Sequence, residues 1–195
     1  MKHVNILLFD DFTTLDALGP AEVFGRLKEY YEIKFISITG GIISGSAGVK
    51  IDTKQISEIQ QNDILLIPGG FGTRKLVTDS NFLSALRLLA EESELVLSVC
   101  TGSALLAKSG LLNNRKATSN KISWEWVINQ NQEVNWINKA RWVVDGKYYT
   151  SSGITAGIDM ALGFISDKHN NEVAKNISKS LEYIWNENKE NDPFA

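Results

Sequence analysis

Cys100 is the one cysteine in this chain of 195 residues. It falls where "ELVLSV" (94–99), an apolar strand pattern, gives way to "TGSALLAKSG" (101–110), a helical pattern closed by glycine. A side chain at so sharp a strand-to-helix turn projects above the sheet, the arrangement of a nucleophile elbow. Free N–H groups at the start of the next helix favour negative charge on sulfur, so the expected thiol pKa lies below the ordinary value of about 8.5. The alternative is a small buried hydrophobe, which describes most free cysteines. Position alone does not separate the two.

A nucleophilic thiol needs a group to take its proton. His3 opens the first strand pattern, at the end opposite the strand carboxyl termini, and His169 follows Lys168 at the end of a helical pattern. Neither is placed to serve Cys100, and two distant histidines do not make a metal site. Asp16, just ahead of "ALGPAEVFGRL", has two readings: a helix cap, which spacing alone favours, or a carboxyl group shuttling a proton to and from the sulfur. Asp10 and Asp11 in the same loop read as solvated turn residues. "PGGFG" (68–72) follows another strand pattern, and its glycines let backbone approach a ligand closely. The Gly70 amide and the Thr101 amide are the candidate oxyanion donors, with Gly69 beside them. No third glycine follows at the spacing of a dinucleotide fingerprint, and no GK[ST] follows as in a phosphate loop, which excludes both. Asn120, Trp124 and Ser152 are weaker candidates for a substrate pocket. Ser151, Ser152 and Thr155 in "SSGITAGID" either cap a helix or face a ligand.

These residues depend on the elements that carry them. Strand patterns at 3–9, 32–40, 63–70 and 94–99 alternate with helical ones at 15–30, 81–93 and 101–110. A glycine-punctuated hairpin is expected over 41–53, a short strand over 115–120 and a helix over 121–131. Asp145–Gly146 supply the turn of a second hairpin over 140–152, and helices follow at 155–169 and 171–188. The alternation predicts one α/β domain over 1–195, a mainly parallel sheet covered on both faces with short antiparallel additions. Ligands bind such sheets beyond the carboxyl ends of the strands, where "FDDFTTLDALGP", "PGGFG" and "CTGS" all fall.

Hydrophobic residues make up 43% and charged residues 22%, with a net charge of −3, so nothing marks a nucleic-acid or anionic-lipid surface. The opening "MKHVNILLFDD" lacks a signal-peptide pattern and is too short an apolar run to span a bilayer. A lone cysteine forms no internal disulfide or CxxC pair. The expected setting is the cytoplasm, with a small-molecule substrate and without cofactor, metal, nucleic-acid or membrane partners.

"ILLFDDFTTLDALGPAEVF", "DILLIPGGFG", "VCTGSALLAKSGLL", "KATSN" and "SSGITAGIDMAL" together resemble the ThiJ/PfpI superfamily, relatives of the class I glutamine amidotransferase domain, over nearly the whole chain. "LDALGP" and "VCTGS" point to the branch of isocyanide hydratases and of the ligand-binding domains of AraC-type regulators. The resemblance implies a flavodoxin-like three-layer sandwich, a homodimer, and a reactive cysteine at the elbow. It implies Cys100 as nucleophile and Asp16 as acid/base, with hydration of an isocyanide to an N-substituted formamide as the reaction. A ligand or oxidative-stress sensor that keeps the elbow without turnover is the alternative. Glyoxalase or peptidase activity fits less well, because Thr101 and Asn120 stand where such relatives carry histidine.

Overall fold

A computed structural model describes residues 1–195 and shows the expected α/β architecture. Strand β1 (Lys2–Leu7) leads into helix α1 (Thr14–Gly25), then β2 (Tyr31–Ser37), β3 (Gly41–Ser44), β4 (Lys50–Gln55) and β5 (Ile64–Ile67). Helices α2 (Gly72–Leu76) and α3 (Ser80–Glu92) precede β6 (Leu95–Val99) and α4 (Gly102–Lys108). Two short strands, β7 (Lys116–Ala117) and β8 (Asn135–Trp136), bracket the single turn of α5 (Trp124–Ile128). The chain continues through β9 (Trp142–Asp145), β10 (Tyr148–Ser151), α6 (Ala156–Lys168) and α7 (Asn171–Ser180).

The main sheet runs β3-β4-β2-β1-β5-β6-β10-β9. Its inner strands pair in parallel, and β3 and β9 are antiparallel edges made by the two anticipated hairpins. β5, "ILLI", is buried at every position, as a central parallel strand covered on both faces must be. α1, α6 and α7 pack together as one layer, and α2, α3, α4 and α5 as the other. Forty-five buried hydrophobic residues form the core between layers and sheet. No helix is long and apolar enough to cross a membrane.

Three local expectations change. β7 leaves the main sheet and pairs in parallel with β8, which sequence pattern misses. α2 and a 3-10 turn at Ile56–Glu58 are also additions. α7 stops at Ser180 rather than continuing to 188, because Glu182 takes a left-handed φ of 51°. The Tyr183 N–H then closes on the Ser178 carbonyl and the Glu182 N–H on that of Lys179, the bond pair that ends a helix in a Schellman motif.

In strand order the chain runs outward from β1 in one direction through β2, and from β5 in the other through β6. The reversal opens a crevice at the carboxyl ends of β1, β5 and β6, the place where an open α/β sheet receives ligands.

Candidate active site

The loops leaving β1, β5 and β6 are hydrogen-bonded into one assembly. Gly69 stands at its centre: its N–H donates to Asp16 Oδ2 at 3.0 Å, and its carbonyl accepts from Thr13 N at 2.8 Å. A Cβ on Gly69 would lie 2.6 Å from the Thr101 amide nitrogen and 2.8 Å from Cys100 Cβ, so only glycine lets the β5 loop touch the elbow. The Gly70 N–H donates to Thr101 Oγ1 at 3.0 Å. That bond corrects the expectation of an oxyanion donor at Gly70, since its proton is already committed. Gly70 instead fixes Thr101, whose hydroxyl pairs with Gly70 and Thr73 while its amide favours negative charge on the Cys100 sulfur.

Cys100 sits at φ 57°, the left-handed region a non-glycine residue enters at a cost of order 1–3 kcal/mol. Its N–H is shared between the carbonyls of Ser151 (3.2 Å) and Ser152 (3.3 Å), and its carbonyl accepts from Ser119 Oγ (2.8 Å) and Ser103 Oγ (3.1 Å). The main chain on both sides of the sulfur is therefore clamped in its strained form. The residue is only 6% exposed.

Asp16 is fully buried and does not cap α1; Thr13 occupies the cap position. Its Oδ1 has no aligned hydrogen-bond partner, yet its carboxyl and the Cys100 thiol are close enough to shift each other's titration. Burial raises the Asp16 pKa from its usual 3.8 to about 7, with the Gly69 N–H and then the thiol pulling it down. Burial also raises the Cys100 thiol, and the negative charge of Asp16 raises it further, with the Thr101 amide opposing. The expected lowering of the thiol pKa is thereby overturned: desolvation and a carboxylate neighbour outweigh the few N–H groups at the start of a seven-residue helix. The pair holds its proton on sulfur and offers a carboxylate beside it, an arrangement for proton transfer during attack rather than for a standing thiolate.

Gly153 closes the other side of the sulfur. A Cβ there would lie 2.8 Å from Cys100 Sγ and 2.4 Å from Asn120 Nδ2, so Asn120 and the sulfur face the same small space. Asn120 Oδ1 accepts from Ser123 N at 2.8 Å, which turns the amide nitrogen toward that space. Asn120, Ser152 and Gly153 line an open cleft of about 450 Å³ that also includes Lys121 and Thr155. Sequence reasoning named Asn120 and Ser152 but missed Gly153, although "SSGIT" contains it. Trp124 is outside the cleft lining. Its ring packs edge-on to Trp136 at 6.1 Å with Lys121 Nζ 5.1 Å above it, because the one-turn α5 points it away.

The remaining candidates serve structure. Asp10 Oδ1 accepts from Ser44 N, and Asp11 is an exposed residue at φ 61°. Thr155 Oγ1 accepts from Arg141 Nη2 rather than capping α6. His3 contacts Asp63 and Glu32, and His169 Nε2 lies 2.8 Å from Tyr31 Oη. No three His, Cys, Asp or Glu side chains gather as a metal cluster, so no residues are assigned to one.

The chain is similar to several known proteins. An isonitrile hydratase of Pseudomonas putida is 30% identical over 93% of this chain and 78% of its own length. The transcriptional regulator CdhR of Pseudomonas aeruginosa is 28% identical over 90% of this chain, which spans only 53% of that protein. A deglycase of Pyrococcus horikoshii is 31% identical over 76% of this chain and 88% of its own. Among solved structures, a ThiJ/PfpI family protein from Pseudomonas syringae superposes with TM-score 0.81 at 25% identity, covering 95% of this chain and 76% of that one. DJ-1beta of Drosophila melanogaster gives TM-score 0.81 at 20% identity over 94% and 99% of the two chains, a likeness of fold. The family model for DJ-1/PfpI proteins matches residues 2–167, and the chain belongs to the DJ-1/PfpI family.

Proposed function

We propose that the protein is a cysteine-dependent hydratase of small carbon electrophiles, acting on isocyanides to give N-substituted formamides. The observation that carries the reading is the buried carboxyl of Asp16 beside the Cys100 thiol, with a pKa raised to about 7, where the histidines stand elsewhere. A carboxyl group with that pKa is poised to accept and return one proton near neutral pH.

In the first step the Asp16 carboxylate takes the thiol proton as Cys100 Sγ bonds to the terminal carbon of the isocyanide. The proton passes from Asp16 to that carbon, leaving a thioimidate, Cys–S–CH=N–R. Water then adds across C=N to form Cys–S–CH(OH)–NH–R, with Asp16 relaying the proton. Collapse breaks the C–S bond, forms the formamide carbonyl and returns the hydroxyl proton to sulfur. The sum is one isocyanide and one water consumed, one formamide released, and no change in oxidation state. Asn120 Nδ2 and the Thr101 N–H are donors at the sulfur for the polar atoms that develop during addition.

Thr101 and Asn120 occupy positions at the sulfur and hold no transferable proton near neutral pH, which disfavours peptidase chemistry. The sensor alternative relied on an accessible, low-pKa thiol. Burial and the Asp16 charge both raise the Cys100 thiol, which favours attack assisted by Asp16 over spontaneous oxidation.

Formamide release from an aryl or alkyl isocyanide by the native protein, Cys100→Ala and Asp16→Asn tests the reading. Turnover by the native protein, lost in Cys100→Ala and reduced in Asp16→Asn by roughly 10²–10⁴-fold in kcat/KM, is the expected result. Absence of turnover in the native protein, or turnover persisting in Cys100→Ala, overturns it.

A further inference from the structure

We propose that Arg141 is a positioning residue for Cys100: its main-chain carbonyl and its guanidinium hold the two ends of the loop 152–155, which sets the sulfur in place. The inference rests on the reading of Cys100 as a nucleophile and adds the device that keeps it aimed.

The loop 152–155 joins β10 to α6 and touches the elbow twice. The Ser152 carbonyl accepts from the Cys100 N–H at 3.3 Å, one of the two bonds that hold the residue at its left-handed φ. One residue on, Gly153 lies so close that a Cβ there would stand 2.8 Å from Cys100 Sγ. A shift of the loop therefore moves both the main chain that carries the sulfur and the wall beside it. The loop is held from Arg141. The Arg141 carbonyl accepts from the Ser152 N–H at 2.9 Å, and Arg141 Nη2 donates to Thr155 Oγ1 at 3.1 Å. One residue grips the loop where it leaves the sheet and where it enters the helix.

Arg141 is itself fixed by its surroundings. It is buried, and its Nε and Nη2 donate to Asp159 Oδ2 at 2.9 and 2.7 Å. Asp159 lies one turn beyond Thr155 on α6, so the guanidinium spans the end of the loop and the helix that follows. On its other side Nη1 donates to the buried Asp192 Oδ1 at 3.5 Å. The second oxygen of Asp159 accepts from Tyr183 Oη and from the Asn186 N–H, both at 3.0 Å. The Arg141 N–H donates to the Lys189 carbonyl at 2.8 Å. The segment 183–192, beyond α7, thus holds the arginine in one orientation. Stability alone does not account for the arrangement. A buried cation with its carboxylates gains little beyond the cost of desolvating them, and apolar residues of similar volume often fill such a space as well. What a planar fork supplies, and apolar packing does not, is direction. With its other N–H groups turned to carboxylates, the guanidinium aims the remaining one of Nη2 at Thr155.

The test acts at Thr155, an exposed position. Thr155→Val removes the hydroxyl that Arg141 holds, and Thr155→Ser keeps it. Two readouts are taken: kcat and KM for formamide release, and second-order alkylation of Cys100, the chain's one thiol, by iodoacetamide. A loosened loop misaims the sulfur and uncovers it, so the two rates are expected to move in opposite directions. In Thr155→Val, kcat falls about tenfold with KM within about twofold, and alkylation quickens by about fivefold, at an unchanged melting temperature. Thr155→Ser returns both rates to native values. Arg141→Lys, which keeps the charge and loses the fork, matches Thr155→Val, and adding Thr155→Val to it changes nothing further. The Thr155 pair decides the matter even where Arg141→Lys does not fold. Equal alkylation in native protein and Thr155→Val overturns the proposal, as does a Thr155→Ser variant no closer to native than Thr155→Val. So does a fall in kcat confined to variants that also melt lower, which would give Arg141 a role in folding alone. Alkylation requires no hydration, so a native protein that releases no formamide overturns the hydratase reading and leaves the alkylation rates to decide this one.

Discussion

Asp16 and Cys100 are both buried and each shifts the other's titration, and the pH dependence of the reaction follows from that pairing. The carboxylate is the form that accepts the thiol proton, so kcat/KM rises with pH through about 7 and levels above it. In Asp16→Asn that rise disappears together with most of the rate, and a pH–rate profile of both proteins measures it. A profile that falls through pH 7, or one retained in Asp16→Asn, would assign the proton transfer to another group. The backbone at Cys100 permits a second prediction. Both Cys100→Ala and Cys100→Gly remove the sulfur, but only glycine occupies φ 57° without steric cost. Cys100→Gly is expected to be more stable than Cys100→Ala by about 1 kcal/mol, read by urea denaturation. Equal stabilities would mean that the elbow relaxes once the side chain is shortened.

At the scale of elements, the site is a junction of three strand ends, and Gly69 is where they meet. Gly69→Ala drives a methyl group into the Thr101 backbone, which is held by the start of α4 and cannot swing aside as a side chain can. The expected cost is about 2–3 kcal/mol in folding free energy, with a larger loss of activity because Asp16, Thr101 and Cys100 lose register together. Thermal melting and formamide release on the same sample check both halves. The contrast between Gly69 and Asp16 shows what a sequence carries. Apolar runs such as "ILLI" and the alternation of strand and helix patterns disclose the sheet, because burial on both faces leaves a continuous signature. The elbow at Cys100 is legible for the same reason, as an abrupt change of period. The role of Asp16 is not: its spacing is that of a helix cap, and its actual partner is a backbone N–H 53 residues away. The Gly70 amide looked free because the hydroxyl that takes its proton lies on another loop. The end of α7 was hidden because a glutamate, rather than glycine, took the left-handed position.

For the molecule as a whole, the chemistry proposed for Asp16 exacts a cost in stability that depends on pH. A carboxyl whose pKa is raised on folding binds its proton more tightly in the native state than in the unfolded chain. Between the usual 3.8 and about 7, the native protein therefore holds a proton that the unfolded protein has released, and stability declines as pH rises across that window. Below it both states are protonated; above it both are ionised, and the burial penalty is fully felt. Asp16→Asn substitutes a neutral group of similar shape and escapes the penalty. Its stability relative to the native protein should be near equal at pH 4 and should exceed it at pH 8, with an upper bound on the order of 4 kcal/mol. Other titrating groups are common to both proteins and cancel in the difference, so denaturant midpoints at a series of pH values isolate Asp16. A difference that stays flat from pH 4 to 8 would mean that the carboxyl is hydrated or rearranged in solution. The expected divergence would identify Asp16 as a group kept at the expense of the fold, which is the signature of a residue retained for reaction rather than for packing.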